Sequence, residues 1–287
     1  MLTCTDVKKT FDKGLATEKV ALGGVNLHLR ESDFITVIGG NGAGKSTFLN
    51  AVAGVFNVDS GTITIDGHDV NRHPEYTRAR LIRRAFRPLI APPLSSEHMR
   101  AKLIGRVFQD PRMGTAPSMS IEENLAIAYR RCKRRTLRWG IKRSERAIYR
   151  ESLAVLGLGL EDRLSVKVGT LSGGQRQALT LLMATIQKPK LLLLDEHTAA
   201  LDPKTAKIVL DLTDKLVHDN QLTTLMVTHN MRDALKSGNR LMMMHEGRII
   251  LDVQNADEKA KLTVPDLLKM FEQASGEEML SDRMLLT

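Results

Sequence analysis

A run of nine residues, Gly39-Gly40-Asn41-Gly42-Ala43-Gly44-Lys45-Ser46-Thr47, follows the compact apolar segment 34–38 and leads into 47–55, which can continue as a helix. It fits the pattern G-x-x-x-x-G-K-[ST]. Four glycines let the backbone curl until successive N–H groups point inward, and the following helix adds its positive end. Such a turn is a cradle for phosphate oxygens. Lys45 would reach the β- and γ-phosphates, and the Ser46 hydroxyl would ligate Mg²⁺. The competing reading is a glycine-rich turn that only happens to precede a helix; four glycines, Lys-Ser and a buried strand together argue against it. The run predicts a strand–loop–helix unit that binds a nucleoside triphosphate.

The rest of the chain agrees with an α/β fold. Segments 25–30 and 62–65 alternate apolar and polar side chains, as half-buried strands do. Segments 191–194 and 224–228 are short apolar runs that read as buried strands, and 203–220 between them has helical spacing of Ala206, Val209, Leu210, Leu212 and Leu216. Segment 242–253 reads as a hairpin around Glu246-Gly247, with Met242 to Met244 as core. Strands separated by helices favour a parallel sheet covered on both faces. From about 74 to 161 the composition turns helical and strongly basic.

Composition narrows the class. The 287 residues are 42% hydrophobic and 26% charged, which excludes wholesale disorder. No apolar run approaches the ~18 residues of a membrane span, and the N-terminus shows no charged head with an apolar run, so a soluble intracellular protein is expected. Cys4 and Cys132 make no disulfide framework. A net charge of +9 suggests an anionic partner: nucleotide, nucleic acid or a membrane surface.

Three further motifs complete the pattern. Leu191-Leu192-Leu193-Leu194-Asp195-Glu196 is an apolar strand ending in two carboxylates; beside a phosphate loop, the first would hold Mg²⁺ and the second could accept a proton from attacking water. Leu171-Ser172-Gly173-Gly174-Gln175 lies 20 residues before Asp195. Together these resemble the ATP-binding-cassette (ABC) ATPases, over roughly residues 1–255. Gln109 in Val107-Phe108-Gln109-Asp110 stands where that family has its lid glutamine, Ala200-Leu201-Asp202 where it has the loop after the acidic strand, and His229 where it has its switch histidine. Phe11 stands where an aromatic stacks on adenine, with an ordinary core aromatic as the plainer reading. His197 departs from the family's proline after the catalytic Glu; it either shapes the loop or serves as a second proton acceptor. His68 and His245 show no metal-ligand spacing.

The resemblance implies a P-loop NTPase core with a mainly parallel sheet, an antiparallel β subdomain and a helical signature subdomain. It implies ATP and Mg²⁺ as ligands, with Ser46, Gln109 and Asp195 at the metal, and Glu196, His229 and Gln109 in catalysis. Two cassettes would pack head to tail, so that Ser172, Gly173, Gly174 and Gln175 of one chain meet the nucleotide held by Gly39, Asn41, Gly42, Ala43, Gly44, Lys45, Ser46 and Thr47 of the other, with Asp202 crossing the interface. Residues 1–254 form the ATPase domain, with a helical subdomain at about 110–180, a basic repeat-bearing insertion at about 75–108 and a short extension, 255–287, in which 265–274 forms a helix packing on the core. One phosphate loop, one signature and no membrane span mean that channel and motor would be separate polypeptides; the resemblance then implies transmembrane permease subunits, a second ATPase subunit (a homodimer), an extracytoplasmic substrate-binding protein, and a place on the cytoplasmic face of the plasma membrane. The stretches 109–125 and 195–203 resemble ATPases of tryptophan/tyrosine-type or related amino-acid uptake systems. A cassette ATPase of DNA maintenance or translation, or an exporter motor, is the alternative; the chain lacks the long heptads of the first and the second cassette of the next, and no nucleic acid partner is expected.

One repeat is left over. Segments 75–86 (EYTRARLIRRAF) and 97–108 (EHMRAKLIGRVF) match at seven of twelve positions, and only the second leads into a glutamine, Gln109. A tandem duplication on the surface is the plain reading. The charge is local too: residues 130–150 carry a net +9 and 72–106 a net +7, which leaves the remainder acidic. Solvated helix faces explain this, or contact with anionic lipid headgroups or an acidic coupling surface.

Overall fold

A computed structural model describes residues 1–70, 100, 102–131 and 140–275. The first copy of the repeat, Cys132 and the last twelve residues lie outside them.

Two sheets share one core. The first is antiparallel, in the order β2 (Lys19–Leu29), β1 (Leu2–Phe11), β4 (Ser60–Ile65), β5 (His68–Asp69). The second has six strands, in the order β10 (Arg248–Val253), β9 (Arg240–His245), β3 (Phe34–Ile38), β8 (Thr223–Val227), β7 (Leu191–Asp195), β6 (Ile104–Val107). From β9 to β6 every pairing is parallel; β10 closes the edge as the antiparallel half of a hairpin.

Strand pleat sorts the apolar side chains between two covers, because successive residues point to opposite faces. Leu191, Leu193, Leu225, Val227, Ile35 and Val37 face a core shared with the antiparallel sheet and helix α1 (Lys45–Ala53). Leu192, Leu194 and Met226 face the other way, onto a core shared with α2 (Ile121–Arg130), α3 (Arg143–Ala154), α4 (Gly173–Thr185) and α5 (Pro203–Asp219). Being apolar on both faces is what a central parallel strand requires.

The sequence reading of 74–161 as helical is corrected at one place. Ile104–Val107 is a strand, the edge partner of β7 in the register Ile104↔Leu191 to Val107↔Leu194. Part of the second repeat copy therefore belongs to the sheet.

Beyond α6 (Met231–Lys236), the helices α7 (Ala256–Lys259) and α8 (Val264–Ser275) lie against β9 and β10. Leu267 and Phe271 enter a third apolar cluster with Leu241, Met243 and Val253. Lys259 is buried, and its Nζ donates to Thr36 Oγ1 at 3.2 Å, to Gly238 O at 3.2 Å and to Ser237 O. Burial pushes its pKa down to about 8.

Candidate active site

The C-terminal ends of the parallel strands gather the predicted residues. After β3 the chain turns through Gly39 (φ 150°), Gly42 (φ 80°) and Gly44 (φ 96°), backbone regions that L side chains avoid. A Cβ at Gly39 would also collide with the Met244 carbonyl. Lys45 opens α1 and is buried, and its Nζ donates to Gly39 O at 2.8 Å and Gly40 O at 3.0 Å. The ammonium is thus curled into its own loop. Burial lowers its pKa; Glu196 and Asp195 act against that.

β7 ends at Asp195, and the next residue, Glu196, takes a left-handed backbone (φ 44°) held by its N–H donating to Val227 O at 2.9 Å. Glu196 Oε2 lies 3.5 Å from Nδ1 of His229, which follows β8 by two residues. The contact with His229 keeps the Glu196 carboxyl below its ordinary range despite partial burial, and it raises the His229 imidazole in turn. His197 sits next to this pair and behaves in the opposite way. It is fully buried, its Nε2 lies 2.9 Å from Thr213 Oγ1, and burial pushes its pKa down to about 4. A neutral imidazole bonded to a core threonine fits the loop-shaping role.

Gln109 is exposed two residues past the end of β6. The loop beyond it is pinned by Asn124, which is buried and accepts from Ala116 N at 2.8 Å while donating to Ala116 O and Ser120 O. Ser120 and Glu123 form a capping box at the start of α2. Just before the lid, Arg106 donates to Asp195 Oδ2 at 2.9 Å and Asn50 Oδ1 at 2.6 Å, with its Cζ 4.6 Å from the centre of the Phe108 ring.

Ser172 caps α4: its Oγ accepts from Gln175 N at 3.2 Å and its N–H donates to Gln175 Oε1 at 3.3 Å. The Ser172 hydroxyl proton remains available, because an N-cap oxygen only accepts. Gly174 is buried, and a Cβ there would run into Thr205 on α5. Asp202 caps α5, accepting from Thr205 N at 3.1 Å. Phe11 is 37% exposed at the end of β1 and meets Phe56 edge to face, with centroids 5.3 Å apart. Lys9 Nζ stands 5.4 Å from the Phe11 ring centre. This is a surface aromatic pair, and the reading of Phe11 as a core aromatic does not hold.

The family model described as ABC transporter matches residues 22–199, more than half of the chain. The chain belongs to the ABC transporter family. This cassette is 39% identical over 274 residues to a tyrosine transport ATP-binding protein of Clostridioides difficile, covering 96% of this chain and all of that one. It is 32% identical over 250 residues to a methionine import ATP-binding protein of Rhizobium johnstonii, covering 87% of this chain and 60% of the other. A dimeric ATP-binding cassette solved in a post-hydrolysis state with ADP and phosphate superposes with a TM-score of 0.68 at 28% identity, covering 88% and 97% of the two chains.

The cassette is therefore an ATP-binding protein and an ATPase, the motor of a transporter. None of its described helices is long and apolar enough to cross a membrane. The residues assigned to Mg²⁺ fit it by type, a hydroxyl (Ser46), an amide oxygen (Gln109) and a carboxylate (Asp195) being hard oxygen donors; Ser46 lies at the start of α1, Asp195 at the end of β7 and Gln109 two residues past the end of its partner strand β6. Sequence reasoning missed Arg106, Gln177 and Phe56. Arg106 read as one more basic residue of a basic stretch, and nothing in the spacing marked it.

Proposed function

We propose that the chain is the ATP-hydrolysing subunit of an importer for an amino acid or a related small solute. It acts as one of two identical ATPase subunits beneath separate permease subunits on the cytoplasmic face of the membrane, with an extracytoplasmic binding protein delivering the solute. The observation that carries the amino-acid reading is the likeness to a tyrosine transport ATP-binding protein along that protein's whole length, and the likeness to a methionine import ATP-binding protein supports the direction.

The site residues take these roles. Backbone N–H groups of the 39–46 loop bind the phosphates, and Lys45 leaves the carbonyls of Gly39 and Gly40 for the β- and γ-phosphates. Ser46, Asp195 and Gln109 would hold Mg²⁺, which supplies neutralising charge to the phosphates when bound. Phe11 offers a ring to the adenine. Glu196 orients and deprotonates the attacking water. As long as His229 holds it, its lowered pKa makes it a weak base; once His229 turns to the γ-phosphate, Glu196 recovers basicity. Ser172 and Gly174 of the partner cassette offer donors to the γ-phosphate from the start of α4. Asp202 lies at that interface.

A groove of about 1010 Å³ beside the lid supports docking to a permease. Phe108, Met113, Ile127, Met183, Arg130 and Arg146 line it. Met113 and Ile127 are 68% and 58% exposed, apolar surface that a partner would cover.

The test is isolation of the tagged chain from its native membrane and identification of what accompanies it. A multi-span permease is the expected result. Nucleic acid with no membrane protein would instead assign the chain to DNA maintenance or translation.

A further inference from the structure

Asp195, Glu196 and His197 are consecutive, and the two outer residues are tied to the segment that leads into the lid, Asp195 directly by Arg106 of β6 and His197 through a bridge to Phe108, the residue after β6. On one side, Arg106 of β6 donates to Asp195 Oδ2 at 2.9 Å and to Asn50 Oδ1 of α1 at 2.6 Å, while its guanidinium lies over Phe108. On the other, the buried Gln177 of α4 donates to His197 O at 2.7 Å and to Phe108 O at 3.1 Å. Phe108 directly precedes Gln109.

Of these two fastenings, the ionic one bears on a charge the reaction uses. The Arg106 and Asp195 side chains are 15% and 17% exposed, so water screens their attraction far less than at a surface pair. Guanidinium keeps its charge at any working pH and holds its nitrogens in a fixed plane, which suits it to fixing a carboxylate's orientation. Arg106 also lines the groove beside the lid. One side chain therefore touches the groove, the segment leading to Gln109 and the carboxylate at the end of β7.

We propose that Arg106 is a positioning residue of the hydrolytic site: it holds the Asp195 carboxylate in place for the metal ion and transmits displacement of the Phe108–Gln109 segment to it. The proposal rests on the reading of Asp195 as a metal-holding group. Residues behind a metal ligand act by fixing its orientation, so their loss shows as a change in metal dependence, which a purely structural ion pair would leave alone.

The experiment uses the full chain and a fluorescent ATP analogue, titrated with Mg²⁺ and, separately, bound without it. In Arg106→Met, the Mg²⁺ concentration for the half-maximal metal-dependent signal is expected to rise about tenfold, with metal-free affinity unchanged. Arg106→Lys keeps the charge and loses the planar fork, so a smaller rise in the same direction is expected. If Arg106→Met does not fold, the lysine variant decides, and no shift there overturns the proposal. In an Asp195→Asn background, Arg106→Met should add nothing further. Wild-type Mg²⁺ dependence in Arg106→Met, beside a clear shift in Asp195→Asn, overturns the role of Arg106. An unshifted Asp195→Asn overturns the metal role of Asp195, and the proposal with it.

Discussion

The strand ends around the phosphate loop and the start of α4 both carry glycine-rich motifs, yet they are furnished differently. At the strand ends each charged group has a counterpart within the chain: Lys45 on the Gly39 and Gly40 carbonyls, Asp195 on Arg106, Glu196 beside His229. At α4, the side chains of Ser172 and Gln175 each accept from the other's backbone N–H, and Ser172 and Gly173 are exposed. Among the described residues no hydrogen bond joins 172–175 to the phosphate loop. The first region is wired to act on what it holds. The second is a capped helix start that faces outward, and the role proposed for it is toward a nucleotide held by the partner cassette.

Substitutions can break that contrast. The largest effect is expected at Glu196: Glu196→Gln should keep ATP binding, stabilise the dimer and lower steady-state phosphate release by about 10² to 10⁴. Normal turnover would remove Glu196 from the water-activating role.

The two neighbouring histidines sharpen the contrast through pH. His197 has its pKa pushed down to about 4 in the fold, below the ordinary 6.5. Its contribution to stability is complete above pH 6.5 and is lost as pH falls towards 4, a swing of about 3 kcal/mol. His229, raised by Glu196, has the opposite sign: its contribution is present below the ordinary value and fades as pH rises through the folded one. Thermal unfolding between pH 4 and 7 should show a shallower acid loss for His197→Gln than for wild type. Parallel curves would mean that His197 is not held neutral by burial.

Lys45→Ala removes a charged donor from the phosphates and should weaken ATP binding about ten- to a hundredfold in equilibrium titration. Ser172→Gly is the matched change in the outward-facing motif. Glycine replaces serine at an N-cap at a cost of only a few tenths of a kcal/mol, so the hydroxyl is lost with the helix intact. Hydrolysis by the assembled pair should fall about tenfold, with ATP affinity of the single chain unchanged. Weakened binding in the single chain would place the signature in the wrong half of the site.

Much of the scaffold was legible because its signals are local. Leu191 to Leu194 is apolar at every position since both faces of β7 are covered, and residues 203–220 show a helical repeat because one side of α5 packs on the sheet. β6 was not legible. It is four residues long, contains Gly105 and Arg106, and sits in a basic stretch, so neither alternation nor apolar run marks it as a strand. The hairpin reading began at 242, whereas β9 starts at Arg240, whose side chain is tied to Asp252 at 2.6 Å. That pairing belongs to the hairpin's cross-strand register, which the apolar pattern does not carry.

The chain alone determined the phosphate loop, the paired carboxylates, the signature and the order in which strands and helices deliver them, because each is a short pattern whose chemistry needs adjacent residues. Only the tertiary structure decided which groups face one another. Arg106 and Asp195 are 89 residues apart and meet because β6 pairs beside β7 in one register. Gln177 reaches two loops because α4 packs under both. Phe11 and Phe56 form an aromatic edge because β4 pairs with β1 and so brings the segment that leads into it beside the end of β1. Such contacts depend on register and packing between distant segments, and no periodicity within a segment encodes them.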